Sequence, residues 1–144
     1  MIQIKFFLII FFIFLQNSIS VHAETKYFSQ GKKLYDKNKL DDAKIFFEKD
    51  LVFNPKNEIS YLYLSKIFKK NSEDELEENN LNTVILLNPK NEEALHNLIL
   101  LKIKKSDFME ARNLISNFKQ ICKKLCNAEK KFQKELKNSL NEWQ

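Results

Sequence analysis

The chain has 144 residues, a formal net charge of +5 and 44% hydrophobic residues, with only one Gly and two Pro. So few turn formers exclude an all-β chain or a regular alternation of strand and helix, and the expected class is all-α. The charge is mild, as in a soluble protein leaning towards anionic partners, and it does not point to nucleic acid.

The first element is a leader. The opening stretch MIQIKFFLIIFFIFLQNSISVHAETK has one cation at Lys5, an apolar run from Phe6 to Leu15, and a polar stretch ending Val21-His22-Ala23. This is the three-part layout of a secretory signal peptide over residues 1–23, with cleavage expected after Ala23. A retained membrane anchor is the alternative, but a helix of that length rises only about 15 Å against roughly 30 Å of hydrocarbon core. No Cys follows the expected cut, which argues against a lipid anchor there. Residues 24–144 remain, enough for one domain with a core. Only Lys5 leaves with the leader, and no acidic residue does, so the remaining charge is +4.

Within that segment the pentapeptide NPKNE occurs at Asn54–Glu58 and again at Asn88–Glu92, 34 residues later. A fixed period of this size defines a repeat architecture, so it outranks any local reading. Blocks cut at these boundaries run 24–57, 58–91 and 92–125, each with two amphipathic segments. In the first, Tyr27, Phe28, Gly31, Leu34 and Tyr35 fall at helical spacing; NKLDDA makes a turn; then Ala43, Phe46, Phe47 and Leu51 resume helical spacing. Pro55 and Pro89 close the second helices, because proline can neither donate to the helical ladder nor leave its predecessor comfortably helical.

A helix-turn-helix unit of this length resembles the tetratricopeptide repeat (TPR). In the first block Tyr27, Gly31, Leu34, Ala43, Phe47 and Pro55 match the family's alternation of large, small and terminating positions. The second block keeps Tyr61, Leu64, Ser65, Phe68, Leu81 and Pro89. The third keeps Leu95, Leu98, Ala111, Ile115 and SDFMEA, a parallel to NKLDDA. Small residues let the paired helices approach, and large ones fill the space between units. Two positions depart from the pattern. Glu77 stands where the second unit's small residue belongs, which fits either a repeat that tolerates it or a splayed helix pair. Lys123 replaces the third terminating Pro, so the sixth helix either runs on or is stopped by something else.

Residues 126–144 follow, with Ala128, Phe132, Leu136 and Leu140 forming one apolar stripe. This is the polar-backed capping helix that a solenoid needs at its end. The expected architecture is a right-handed α-solenoid of three units plus this cap, seven helices in all.

The sequence offers little for catalysis. His96 is the one His after the leader, and there is no HExxH, phosphate loop or recognisable Ser, His and Asp set. No enzyme activity, cofactor or metal is expected. Cys122 and Cys126 flank the expected corner between the third unit and the cap. In an exported protein they are expected to form a structural disulfide, contributing about 2 kcal/mol for so short a loop.

The TPR resemblance implies that first helices line a concave groove binding an extended peptide or a helix. The groove positions carried over are Phe28, Lys32 and Tyr35; Leu62, Lys66, Lys69 and Lys70; and His96, Leu100, Ile103 and Lys104, with Lys130, Lys134 and Lys137 added by the cap. Such a surface suits a protein partner with carboxylates and a few apolar anchors. The Asn part of the family's carboxylate clamp is not clearly present, so none is assigned. The leader, with no Asn-x-Ser/Thr acceptor after it, points to a bacterial periplasm and a scaffold in an envelope complex. The alternative is peripheral binding of anionic membrane or polymer through Lys119, Lys123, Lys124, Lys130, Lys131, Lys134 and Lys137.

Overall fold

The computed structural model describes residues 25–142. The expected signal peptide and its cleavage site lie outside the described residues. Those residues form seven helices: α1 (Lys26–Asp36), α2 (Leu40–Phe53), α3 (Glu58–Lys70), α4 (Asp74–Leu87), α5 (Glu92–Lys104), α6 (Phe108–Ile121) and α7 (Ala128–Glu142). Each helix from α1 to α6 packs on the next in the chain, and α7 packs on both α5 and α6. The α-solenoid expected from the 34-residue period is the architecture found.

The chain reverses in the same way in every unit. Asn38, Ser72 and Ser106 have positive φ values of 57°, 60° and 59°, and they too are spaced by 34 residues. Each is followed by a backbone N–H that reaches back across the turn: Lys39 to the Leu34 carbonyl at 3.0 Å, and Glu73 to Phe68 and Asp107 to Lys102 at 2.9 Å. This is the Schellman closure of a helix, which usually places Gly at the left-handed position.

The paired helices then meet through small side chains. A Cβ built on Gly31 would lie 3.0 Å from two ring carbons of Phe47, so α1 and α2 approach closely enough that a larger residue would have to push the Phe47 ring aside. Ala43 and Ala111 are fully buried at the matching place in α2 and α6. Glu77 takes this position in α4, yet the helix pair is not splayed. Leu81 and Val84 behind it are fully buried, and Glu77 is itself only 3% exposed.

Two groups of side chains make the core. Ala43, Phe47, Leu64, Ile67 and Phe68 fill the space between the first two units. A larger group runs from Leu62, Leu81 and Val84 through α5 and α6 to Phe132 and Leu136 of α7. Phe118 and Phe132 meet edge-to-face with centroids 5.3 Å apart, which seats the cap. Charged ties add to this. Lys102 Nζ lies 2.8 Å from Glu78 and 3.1 Å from Asp107, and Lys105 Nζ lies 2.5 Å from Glu78. Hydrogen bonds from Lys102 and Lys105 hold the Glu78 carboxyl below its usual range.

Corners between units are fixed by carboxylates. Asp50, fully buried at the end of α2, accepts from the Thr25 hydroxyl, from Asn57 Nδ2 at 2.6 Å and from the Ser60 hydroxyl at 2.5 Å. Thr25 and Asn57 are the N-caps of α1 and α3, accepting from the Phe28 and Ile59 N–H groups. One buried charge thus orients the starts of two first helices. At the last corner α6 stops at Ile121 without a proline. There the Glu92 carboxylate accepts from three successive N–H groups, those of Lys123 and Leu125 at 2.8 Å and Lys124 at 3.0 Å. These bonds, Leu125 foremost, hold its carboxyl low. Cys122 and Cys126 span the same corner with Cα atoms 5.2 Å apart and sulfurs at bonding distance.

The left-handed residues give a direct test of the turn. A left-handed conformation costs an L side chain about 1–2 kcal/mol, and glycine's extra backbone entropy returns part of that. Ser72→Gly and Ser106→Gly are each expected to raise stability by about 0.5–1 kcal/mol in urea unfolding.

Candidate binding face

The first helices α1, α3 and α5 stand side by side, and their side chains meet across one face. At the α1 end an aromatic cluster centres on Tyr63. Its ring stacks on Phe47 at 4.9 Å and meets Tyr35 and Phe28 edge-on at 5.1 and 5.9 Å. Lysines lie over these rings, with Lys70 Nζ 4.7 Å from the centre of Tyr35 and Lys66 Nζ 4.9 Å from that of Tyr63. Burial pushes both phenols above their usual pKa, with Glu93 and Asp36 adding to the effect.

Further along, the face is a polar lattice. Lys66 pairs with Glu93 at 2.7 Å, Lys69 reaches Asn97 at 3.3 Å, and Lys104 pairs with Asp74 at 2.6 Å. His96 packs its ring against Phe132 at 5.1 Å, which joins the face to α7.

Nine of the residues expected on the face retain some exposure. Lys32, Lys69, Lys70 and Lys104 are exposed, while Phe28, Tyr35, Lys66, His96 and Leu100 are half-buried. Leu62 and Ile103 are corrections. Each is 5% exposed and belongs to the core. They repeat positions 28 and 35, which are half-buried in α1, yet at Leu62 and Ile103 neighbouring core side chains pack over them, while His96 and Lys69 at the same repeat positions keep their exposure.

Tyr63, Glu93 and Asn97 belong to the face although the sequence reading did not select them. A signal for them existed, because 63 and 97 are one repeat apart and each sits one residue after a position that was selected. The expected basic surface spans the end of α6, the last corner and α7. Lys119, Lys123, Lys124, Lys130, Lys131, Lys134 and Lys137 are all exposed. Lys119 lies 3.5 Å from Glu129 and Lys131 lies 3.7 Å from Glu135.

No cluster of three or more His, Cys, Asp or Glu among the described residues could hold a metal ion. No helix there is long and apolar enough to cross a membrane.

No protein-family model and no curated protein matches the chain, but solved structures do. The Yersinia enterocolitica type III secretion chaperone SycD, in complex with a peptide of the translocator YopD, is similar with a TM-score of 0.71 at 14% identity, over 89% of this chain and 100% of that one. The first TPR of Spaghetti (RPAP3), bound to an HSP90 peptide, gives 0.68 at 16% identity, over 86% and 98%. The Sgt2 TPR domain from Aspergillus fumigatus gives 0.62 at 14%, over 81% and 76%. The chain has a tetratricopeptide-repeat fold. In TPR terms, α1, α3 and α5 are the first helices of their units and their shared face is the inner one.

Glu77 supplies the pH test of this TPR face. Burial raises its pKa above 4.5, Lys69 opposes that, Asp74 adds to it and Lys104 opposes it. Glu135 of α7 is the remaining charge at that place. An acid with a raised folded pKa binds more protons in the native state, so stability falls as pH rises from the unfolded value through the folded one. Glu77→Gln is expected to gain stability relative to the parent across that window and to level off above it. Urea midpoints at a series of pH values measure this.

Proposed function

We propose that this chain is an exported, non-enzymatic TPR scaffold that binds a peptide or helix of a partner protein on its inner face, in the assembly or maintenance of a cell-envelope complex. The observation supporting this most is the aromatic and cationic surface of α1 and α3. Tyr35 and Tyr63 offer ring faces with Lys66 and Lys70 over them, and Lys32 is exposed on the same helix as Tyr35. Rigid rings with adjacent cations suit a segment that carries carboxylates and apolar anchors. Two structures of the same fold hold peptides, one of a translocator and one of HSP90. Export rests on the leader at residues 1–23 and agrees with the pairing of Cys122 and Cys126 across the last corner.

Lys32→Glu with Lys70→Glu tests the reading, since neither lysine has an ion-pair partner among the described residues. A partner isolated on the parent chain and measured by calorimetry is expected to bind the double variant at least tenfold more weakly, about 1.4 kcal/mol. Unchanged affinity would remove the inner face from consideration.

The basic cap supports a second reading, peripheral attachment to anionic lipid or envelope polymer. Lys130, Lys131, Lys134 and Lys137 of α7 are exposed, as are Lys119, Lys123 and Lys124 before it. Such attachment would fall steeply with ionic strength, whereas binding through apolar anchors on the inner face would persist.

A further inference from the structure

Glu77 is a carboxylate folded into the interior at a place where the other two units have alanine. It is 3% exposed, and it lines a cleft of about 220 Å³ together with Lys69, Leu100, Leu101, Lys104 and Glu135. No described residue donates a hydrogen bond to it, because the two lysines beside it are directed elsewhere, Lys69 to Asn97 and Lys104 to Asp74. A buried charge without a donor is costly, and here the cleft is its remaining outlet.

The cleft's own chemistry restricts what could enter. Its volume is below that of an ordinary small-molecule site and suits a single long side chain. Half-buried Leu100 offers apolar contact for a methylene stem, with the core residue Leu101 behind it. Glu77 and Glu135 present carboxylates from α4 and α7 beside Lys69 and Lys104, which are directed to Asn97 and Asp74. A long stem ending in a cation matches both parts, because Lys and Arg bury their stems and keep their heads on polar groups. A carboxylate would meet Glu77 at close quarters, and an aliphatic side chain would leave it without a donor.

We propose that this cleft receives one lysine or arginine side chain of the partner, its stem on Leu100 and Leu101 and its cationic head between Glu77 and Glu135. The inference rests on the inner-face reading and refines it. The partner segment carries acidic residues for the Lys32 and Lys70 end and a basic residue for the α5–α7 end, so its charge pattern fixes the direction in which it lies.

The test uses the purified chain and two blocked amino acids, Nα-acetyl-lysine methylamide and its norleucine analogue, followed by amide NMR. The lysine probe is expected to move the Glu77, Leu100 and Leu101 signals saturably, and the norleucine probe to leave them in place. Glu77→Gln, whose folding is checked by urea unfolding, is expected to weaken lysine binding about tenfold, as for loss of a charged hydrogen-bond partner. Glu135→Gln is expected to weaken it by a smaller factor. Equal binding of norleucine, or full lysine affinity in Glu77→Gln, would overturn the proposal. If a protein partner binds through Lys32 and Lys70 while the lysine probe leaves the cleft unmoved, this inference fails and the inner-face reading stands. If the probe binds but an isolated partner does not displace it, the cleft's chemistry stands and its link to the partner fails.

Discussion

The molecule depends on one constraint, that the chain must turn back within three residues at the same point of every repeat. Residues 37–39, 71–73 and 105–107 do this with a side-chain-bearing residue in the left-handed region. That conformation is unfavourable alone, and the backbone bond from the next N–H to the carbonyl five residues earlier offsets it. With the reversal fixed, first helices recur on one side and second helices on the other. Gly31, Ala43 and Ala111 can then bring the paired helices together, and the inner face follows as a geometric result.

Carboxylates do at the corners what the turns do within the units. Asp50 is fully buried and accepts from three donors that belong to the starts of α1 and α3. Glu58 accepts from Asn88 at 2.8 Å, and Glu92, one repeat later, takes three backbone N–H groups. The residue opening a first helix therefore holds the corner that ends its own unit. Glu58 uses a single side-chain bond at the Pro89 corner, and where proline is missing Glu92 binds the backbone itself.

The fold was legible because its determinants are local and repeat. Proline at 55 and 89, the small residues and the turn sequences could all be read at fixed offsets, and α7 announced itself by one apolar stripe. The face was legible only in part. Leu62 and Ile103 pack into the core although His96 and Lys69, at the same repeat positions, do not, so exposure at one position differs from unit to unit with the side chains around it. Tyr63 escaped notice because its ring meets three others drawn from α1 and α2, a coincidence that sequence spacing does not encode. Glu77 was visible as an anomaly, but its sequence could not say whether the helices would part or the carboxylate would be buried. The fully buried Leu81 and Val84 decided for burial.

The clasp at the last corner also sets how a load would travel. Covalently, α7 is connected to α5 only by way of α6, yet the Glu92 carboxylate grips residues 123–125 directly. A pull on the cap thus reaches the start of α5 by a short cut that bypasses the length of α6. Thr25 on Asp50 and Glu58 on Asn88 close the first two units through side chains alone, so the third unit differs in that its clasp takes hold of the backbone. Fraying from the carboxyl end can release α7 first, but has to break the Glu92 clasp before it reaches α6.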